Sequence, residues 1–122
     1  MKTPEQITNS LVKKFDKLND IREQSLKLSR EIIKSCSKSI RNVHRNNLDE
    51  AKQHLDEANK NYQDLRSSLK DIPELRFAGY VNDSERELIE AFLVFEFEKT
   101  NALLEFEGMN VSASNYIQGL GD

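Results

Sequence analysis

No glycine or proline stands between Pro4 and Pro73. The first half of the chain therefore holds no residue that stops a helix on backbone grounds. The whole sequence has four Gly and two Pro, and its polar stretches are rich in Glu, Lys, Leu, Ser and Asn. This composition favours a few long helices. No segment shows the alternation of a strand, so the class is all-α. At 122 residues the chain is large enough for one core and too small for two, which gives a single domain over 1–122.

The helices have readable ends. Thr3-Pro4-Glu5-Gln6 is a start signal: Thr3 caps, Pro4 takes the first helical position, and Gln6 closes a capping box. Helix one is predicted to run to about Arg45, where Asn46-Asn47 breaks it. Asn47, with Glu50 three residues on, is expected to cap helix two. There Leu48, Ala51, Leu55, Ala58, Tyr62, Leu65, Leu69 and Ile72 alternate spacings of three and four, which is a heptad seam. Helix one offers Leu11, Phe15, Leu18, Ser25, Ser29, Ile32, Cys36, Ile40 and Val43 as the facing stripe. The short connection makes the two a long antiparallel hairpin. Pro73 is expected to end helix two and lead into a loop around Gly79. Helix three is predicted from near Asn82-Asp83-Ser84 to Gly108, with a further start signal at Ser112.

Several classes are disfavoured. The polar start, Met1 to Gln6, is no secretory signal, and the apolar run Ala91–Phe95 is too short to span a bilayer. Cys36 is the one cysteine, which excludes an internal disulfide and a Cys-based zinc site. A soluble, cytoplasmic protein with no membrane partner is expected. The net charge of −3 conceals an asymmetry: residues 1–45 balance to +6 and residues 46–122 to −9. One surface suits phosphates and the other suits cations.

The basic surface lies on helix one. At 100° per residue, Lys27, Arg30, Lys34, Lys38, Arg41 and Arg45 share an arc of about 80°, opposite Ser29, Ile32, Cys36, Ile40 and Val43. Cations at successive turns, roughly 5–6 Å apart, match the phosphate spacing of a nucleic-acid strand. A merely solvated face fits the same pattern, since basic ridges are common on helices. His44 and His54 read as surface or boundary histidines.

Helix three is apolar over most of its circumference. Leu88, Phe92, Phe95 and Phe106 take one face, and Ile89, Leu93, Phe97 and Leu104 a second. Glu87, Glu90, Glu98, Asn101 and Glu105 fill the remaining strip. Such a helix belongs inside a bundle, and carboxylates one turn apart on it repel. A hard cation, Mg²⁺ or Mn²⁺, relieves that repulsion through oxygen ligands. Exposure of the strip to water, or pairing with the basic ridge, relieves it equally. A ferritin-like di-metal centre needs Glu-x-x-His motifs, and neither His44 nor His54 has a Glu three residues before it.

The collected residues resemble the translin family. Leu28-Ser29-Arg30-Glu31-Ile32 and then His44-Arg45 are similar to that family's first helix. Pro73-Glu74-Leu75 and Gly79 fall where its helices turn. Glu87-Leu88-Ile89-Glu90-Ala91, followed by Lys99-Thr100, resembles the Glu-x-x-Glu-Ala helix of the translin-associated factor X branch. Tyr116-Ile117-Gln118-Gly119-Leu120-Gly121-Asp122 is similar to the start of a Tyr-Leu-x-Gly-x-x-Asp motif. The resemblance implies a seven-helix bundle assembled into an octameric shell from like or unlike family subunits. It implies binding of single-stranded RNA or DNA. In the factor X branch it also implies a Mg²⁺-dependent endoribonuclease, for which Glu87, Glu90 and Asp122 are the matching metal and catalytic positions. The family continues past this Asp into a helix with a further Glu and then its final helices, so the bundle and the site are expected to be incomplete at the C-terminus. Two readings stay open beside this one: a non-catalytic binding subunit resembling translin, and a helical-hairpin adaptor whose seam is an oligomer contact.

Overall fold

The structure is a computed structural model describing residues 1–106, with side chains through Asn101. Four helices account for nearly all of it: α1 (Pro4–His44), α2 (Leu48–Ser68), a single-turn α3 (Pro73–Arg76) and α4 (Gly79–Phe106). Among the described residues there is no strand.

The start of α1 follows its sequence signal. The Thr3 hydroxyl accepts from the Gln6 amide at 3.2 Å, and the Gln6 side chain accepts from the Thr3 amide at 3.0 Å. This capping box satisfies two of the helix's first free donors. The helix ends in a Schellman arrangement. Asn46 takes the left-handed conformation at φ 59°, its amide reaches the Val43 carbonyl at 3.0 Å, and the Asn47 amide reaches the Asn42 carbonyl at 2.8 Å. Asparagine tolerates that backbone better than most side chains, so Asn46 sets the reversal into α2. Asn47 occupies the N-cap of α2 but makes no side-chain capping bond; the capping role expected of it with Glu50 does not form.

The hairpin seam is present. Ala51, Leu55, Ala58, Tyr62, Leu65 and Leu69 are buried, and they meet Ile32, Cys36 and Val43 of α1. The expected seam, however, outruns the helix. α2 stops at Ser68, and Leu69 and Ile72 pack from the connection instead. Pro73 opens a new turn, as the first residue of α3. A residue before proline is pushed away from helical backbone, and Ile72 sits at φ −125°, ψ 79°. α4 then begins at Gly79, earlier than the expected Asn82, with Val81 buried in its first turn.

Helix length decides what is covered. At 1.5 Å per residue, α1 extends about 60 Å, α2 about 30 Å and α4 about 40 Å. The shorter α2 pairs with only the second half of α1, so the expected partners Leu11 and Phe15 are left 61% and 69% exposed. α4 runs alongside α1 in the same direction, contacting both α1 and α2. Its inner side buries Val81, Ser84, Ala91 and Phe95, while Ile89, Phe92 and Leu93 stay about half exposed. α1 and α2 pack on only one side of α4, so Ile89, Phe92 and Leu93 are not enclosed as on a helix inside a bundle. Gly108 and Ser112, read as a helix end and a helix start, lie outside the described residues.

Leu65 is fully buried at the centre of the seam, so Leu65→Ala is expected to cost roughly 2–5 kcal/mol in denaturant unfolding. Phe15→Ala, at an exposed position, should change stability by less than about 0.5 kcal/mol in the same measurement.

Candidate functional site

Two surfaces carry the chemistry anticipated from the sequence, the basic ridge on α1 and the carboxylate strip on α4. The inner face of α1 fixes α2 and α4; its outer face holds the cations. Lys27, Arg30, Lys34, Arg41 and Arg45 are exposed, and Lys38 is half-buried. Among the described residues the ion pairs are Lys52–Asp56 and Arg86–Asp83. Neither involves the ridge, so its six charges are not neutralised by the α4 carboxylates.

The ridge is more than a flat stripe at its C-terminal end. Lys38, Arg41 and Arg45 line a depression of about 250 Å³ together with Asn42, Glu50 and His54. Asn42 is pinned there, its side-chain amide donating to the Lys38 carbonyl at 2.8 Å. His54 comes from α2, one turn beyond Glu50, and the hairpin brings it beside cations from α1. Sequence spacing within one helix gave no sign of Asn42 or His54 as members of this group. The hairpin register was the signal, because residues just after the turn must return alongside those just before it.

The carboxylate pair sits on α4. Glu87 is half-buried and Glu90 is exposed, so the strip is not sealed from water as its sequence suggested. Both face α1 closely enough to act on Cys36. That thiol is fully buried, and burial first, then the negative charges of Glu87 and Glu90, push its pKa up to about 11. Glu98 and Asn101 continue the strip and are half-buried. Glu105 has no described side chain, and Asp122 lies outside the described residues. Among the described residues no group of three or more His, Cys, Asp or Glu gathers closely enough to hold a metal ion.

Serines position α4 against α1. The Ser29 hydroxyl donates to the Tyr80 carbonyl at 2.9 Å and also meets the Ser84 hydroxyl, which in turn bonds the same carbonyl at 2.8 Å. This cluster fixes the register that brings Glu87 and Glu90 opposite Cys36, two turns further along both helices. No helix of the described residues is long and apolar enough to cross a membrane.

The raised thiol has a measurable consequence. Cys36 ordinarily ionises near 9.0 and here near 11, so its stabilising contribution is complete below about pH 9 and declines as pH rises toward 11. Unfolding curves of the wild type should show that decline, and Cys36→Ala should remove it. At pH 8 a disulfide reagent should modify the folded chain at least about ten-fold more slowly than the urea-unfolded chain.

An uncharacterized protein of Methanocaldococcus jannaschii is 34% identical to this chain over 116 residues, which cover 93% of the chain and 51% of the relative. The chain thus spans about half the length of the curated relative it matches. No protein-family model and no solved structure matches it.

Proposed function

We propose that the chain binds single-stranded nucleic acid, with the outward face of α1 as its phosphate-contacting surface. The observation that carries this reading is the group of six cations on one face, none of them paired among the described residues, with three converging on a depression shared with Asn42 and His54. Unpaired exposed cations are free to displace counterions from a strand without first breaking an ion pair. Donors of this kind grip phosphates and do not read bases, so the binding is expected to be indifferent to sequence. The likeness of Leu28–Ile32 and His44-Arg45 to the first helix of the translin family supports the same reading. The same resemblance implies assembly with like or unlike family subunits.

The test is affinity for a single-stranded oligonucleotide across a salt series. Changing Arg30, Lys34, Arg41 and Arg45 to Ala should weaken binding and lower the slope of log K against log salt by up to about 3. An unchanged affinity and slope in a correctly folded variant would overturn the proposal.

A second reading, Mg²⁺- or Mn²⁺-dependent cleavage of the bound RNA strand, is favoured by one observation. Glu87 and Glu90 lie one turn apart on the same helix, so both carboxylates can reach one ion. Mg²⁺ commonly takes only one or two carboxylates and keeps several waters, so this pair fits the donor set of such an ion. When bound, the ion supplies a more acidic water and stabilises charge on the phosphate. Glu87 and Glu90 would hold it, with Asp122 as the further position implied by the family resemblance, while the ridge holds the strand. Calorimetric Mn²⁺ titration and an RNA cleavage assay test this together. Glu87→Gln and Glu90→Gln should each reduce Mn²⁺ affinity by about ten-fold or more and abolish cleavage. Undiminished metal binding and cleavage in both would leave the non-catalytic binding subunit as the better description.

A further inference from the structure

The one large aromatic side chain on the connection between α2 and α4 is not used by the core. Phe77 is 71% exposed, although Leu75, two residues earlier, is buried at 7%. Its mount is firm. Pro73 starts the α3 turn, the Arg76 amide bonds the Ile72 carbonyl at 3.0 Å, and the Ala78 amide bonds the Leu75 carbonyl at 3.1 Å. The Arg76 guanidinium lies over the ring, 5.7 Å from its centroid, and most of the ring remains open to solvent. Beside it is a cleft of about 120 Å³ lined by Tyr62, Arg66, Arg76, Val81, Asn82 and Glu85. At its floor Tyr62 is 6% exposed, and Arg66 and Glu85 line the same cleft.

We propose that Phe77 is a stacking platform for one unpaired nucleobase, with Arg66 and Arg76 placed for the neighbouring phosphate and Asn82 and Glu85 for the base edge. The inference rests on the reading of the chain as a single-strand binder and adds a base contact to its phosphate contacts. An open aromatic face accepts any base, since every base has a π face. A guanidinium against the ring adds a cationic contribution. An amide donor and a carboxylate acceptor match the mixed donors and acceptors of a base edge. Along the axis of α1 the platform is level with Lys27 and Arg30, though on the side of the helix that faces α4 and not on the ridge: Ser29, opposite the ridge, bonds the carbonyl of Tyr80, three residues after Phe77. A protein partner is the poorer fit to this cleft, where one open ring is set among charged and amide side chains. Apolar surface suited to a protein partner lies elsewhere among the described residues, as in the groove between α2 and α4 with Ile89 and Phe92 at its edge.

The chain contains no tryptophan, so Phe77→Trp installs the one tryptophan at the platform, and its emission can be excited apart from that of the tyrosines. Its emission should be quenched by a single-stranded oligonucleotide and left unchanged by an abasic strand of equal length. Phe77→Ala should weaken binding of the normal strand by about 5- to 100-fold, with the salt slope unchanged and the affinity for the abasic strand unaltered. Phe77→Leu, which keeps an apolar side chain, should behave like the Ala variant. Wild-type affinity in Phe77→Ala, or equal quenching by both strands, would overturn the proposal while leaving the ridge reading intact. Failure of the wild-type chain to bind either strand would overturn both. A change in sedimentation mass on Phe77→Ala with unaltered affinity would make the ring a subunit contact and overturn the stacking role alone.

Discussion

Close contact between α1 and its two neighbours rests on small side chains. Ser29, Cys36 and Ser39 of α1, Ala51 and Ala58 of α2, and Ser84 and Ala91 of α4 are all at or near zero exposure. Short side chains let helix backbones approach closely and bring their polar groups within reach. A buried hydroxyl costs stability unless it finds a partner. Here Ser25 donates to the Ile21 carbonyl within its own helix, Ser39 donates to the Ala51 carbonyl across the hairpin, and Ser29 and Ser84 share the Tyr80 carbonyl. Two of these bonds join elements distant in sequence, so they set register as well as separation. The Tyr80 hydroxyl is the exception, enclosed with no partner among the described residues.

That register decides which groups meet. Fixing Ser29 against Tyr80 and Ser84 carries Glu87 and Glu90 to the level of Cys36, and fixing Ser39 against Ala51 carries His54 and Glu50 to the level of Lys38–Arg45. The cations and the α4 carboxylates thereby share one scaffold without pairing. An unpaired basic face and an acidic strip on one small body give a field of opposite signs, which steers a polyanion toward α1 and a cation toward α4.

The unequal lengths of the helices create the remaining surfaces. α1 outreaches α2, and Ile7, Leu11, Val12 and Phe15 stay exposed along its first half. α4 presents Ile89, Phe92 and Leu93 beside a groove of about 380 Å³. Apolar surface of this extent is commonly a contact surface. On the wheel of α1, Ile7, Leu11 and Phe15 lie away from the basic ridge while Val12 falls in line with Arg30, so covering the first three would not hide the phosphate-binding face.

Periodicity and end signals in the sequence determined the all-helical class, the capping box at Thr3 and Gln6, the reversal at Asn46-Asn47, the α2 seam and the basic arc on α1. These depend on neighbours within a few residues, where helical geometry relates spacing directly to direction. The exposed state of Leu11 and Phe15, the half-open α4, the grouping of Asn42 and His54 with three cations, and the outward Phe77 were not legible in that way. A hydrophobic stripe looks the same whether or not a partner helix is long enough to cover it, and a phenylalanine such as Phe77 reads from sequence as buried. Only the tertiary register, set by serine hydroxyls on carbonyls far along the chain, decided which stripes were paired and which side chains faced one another.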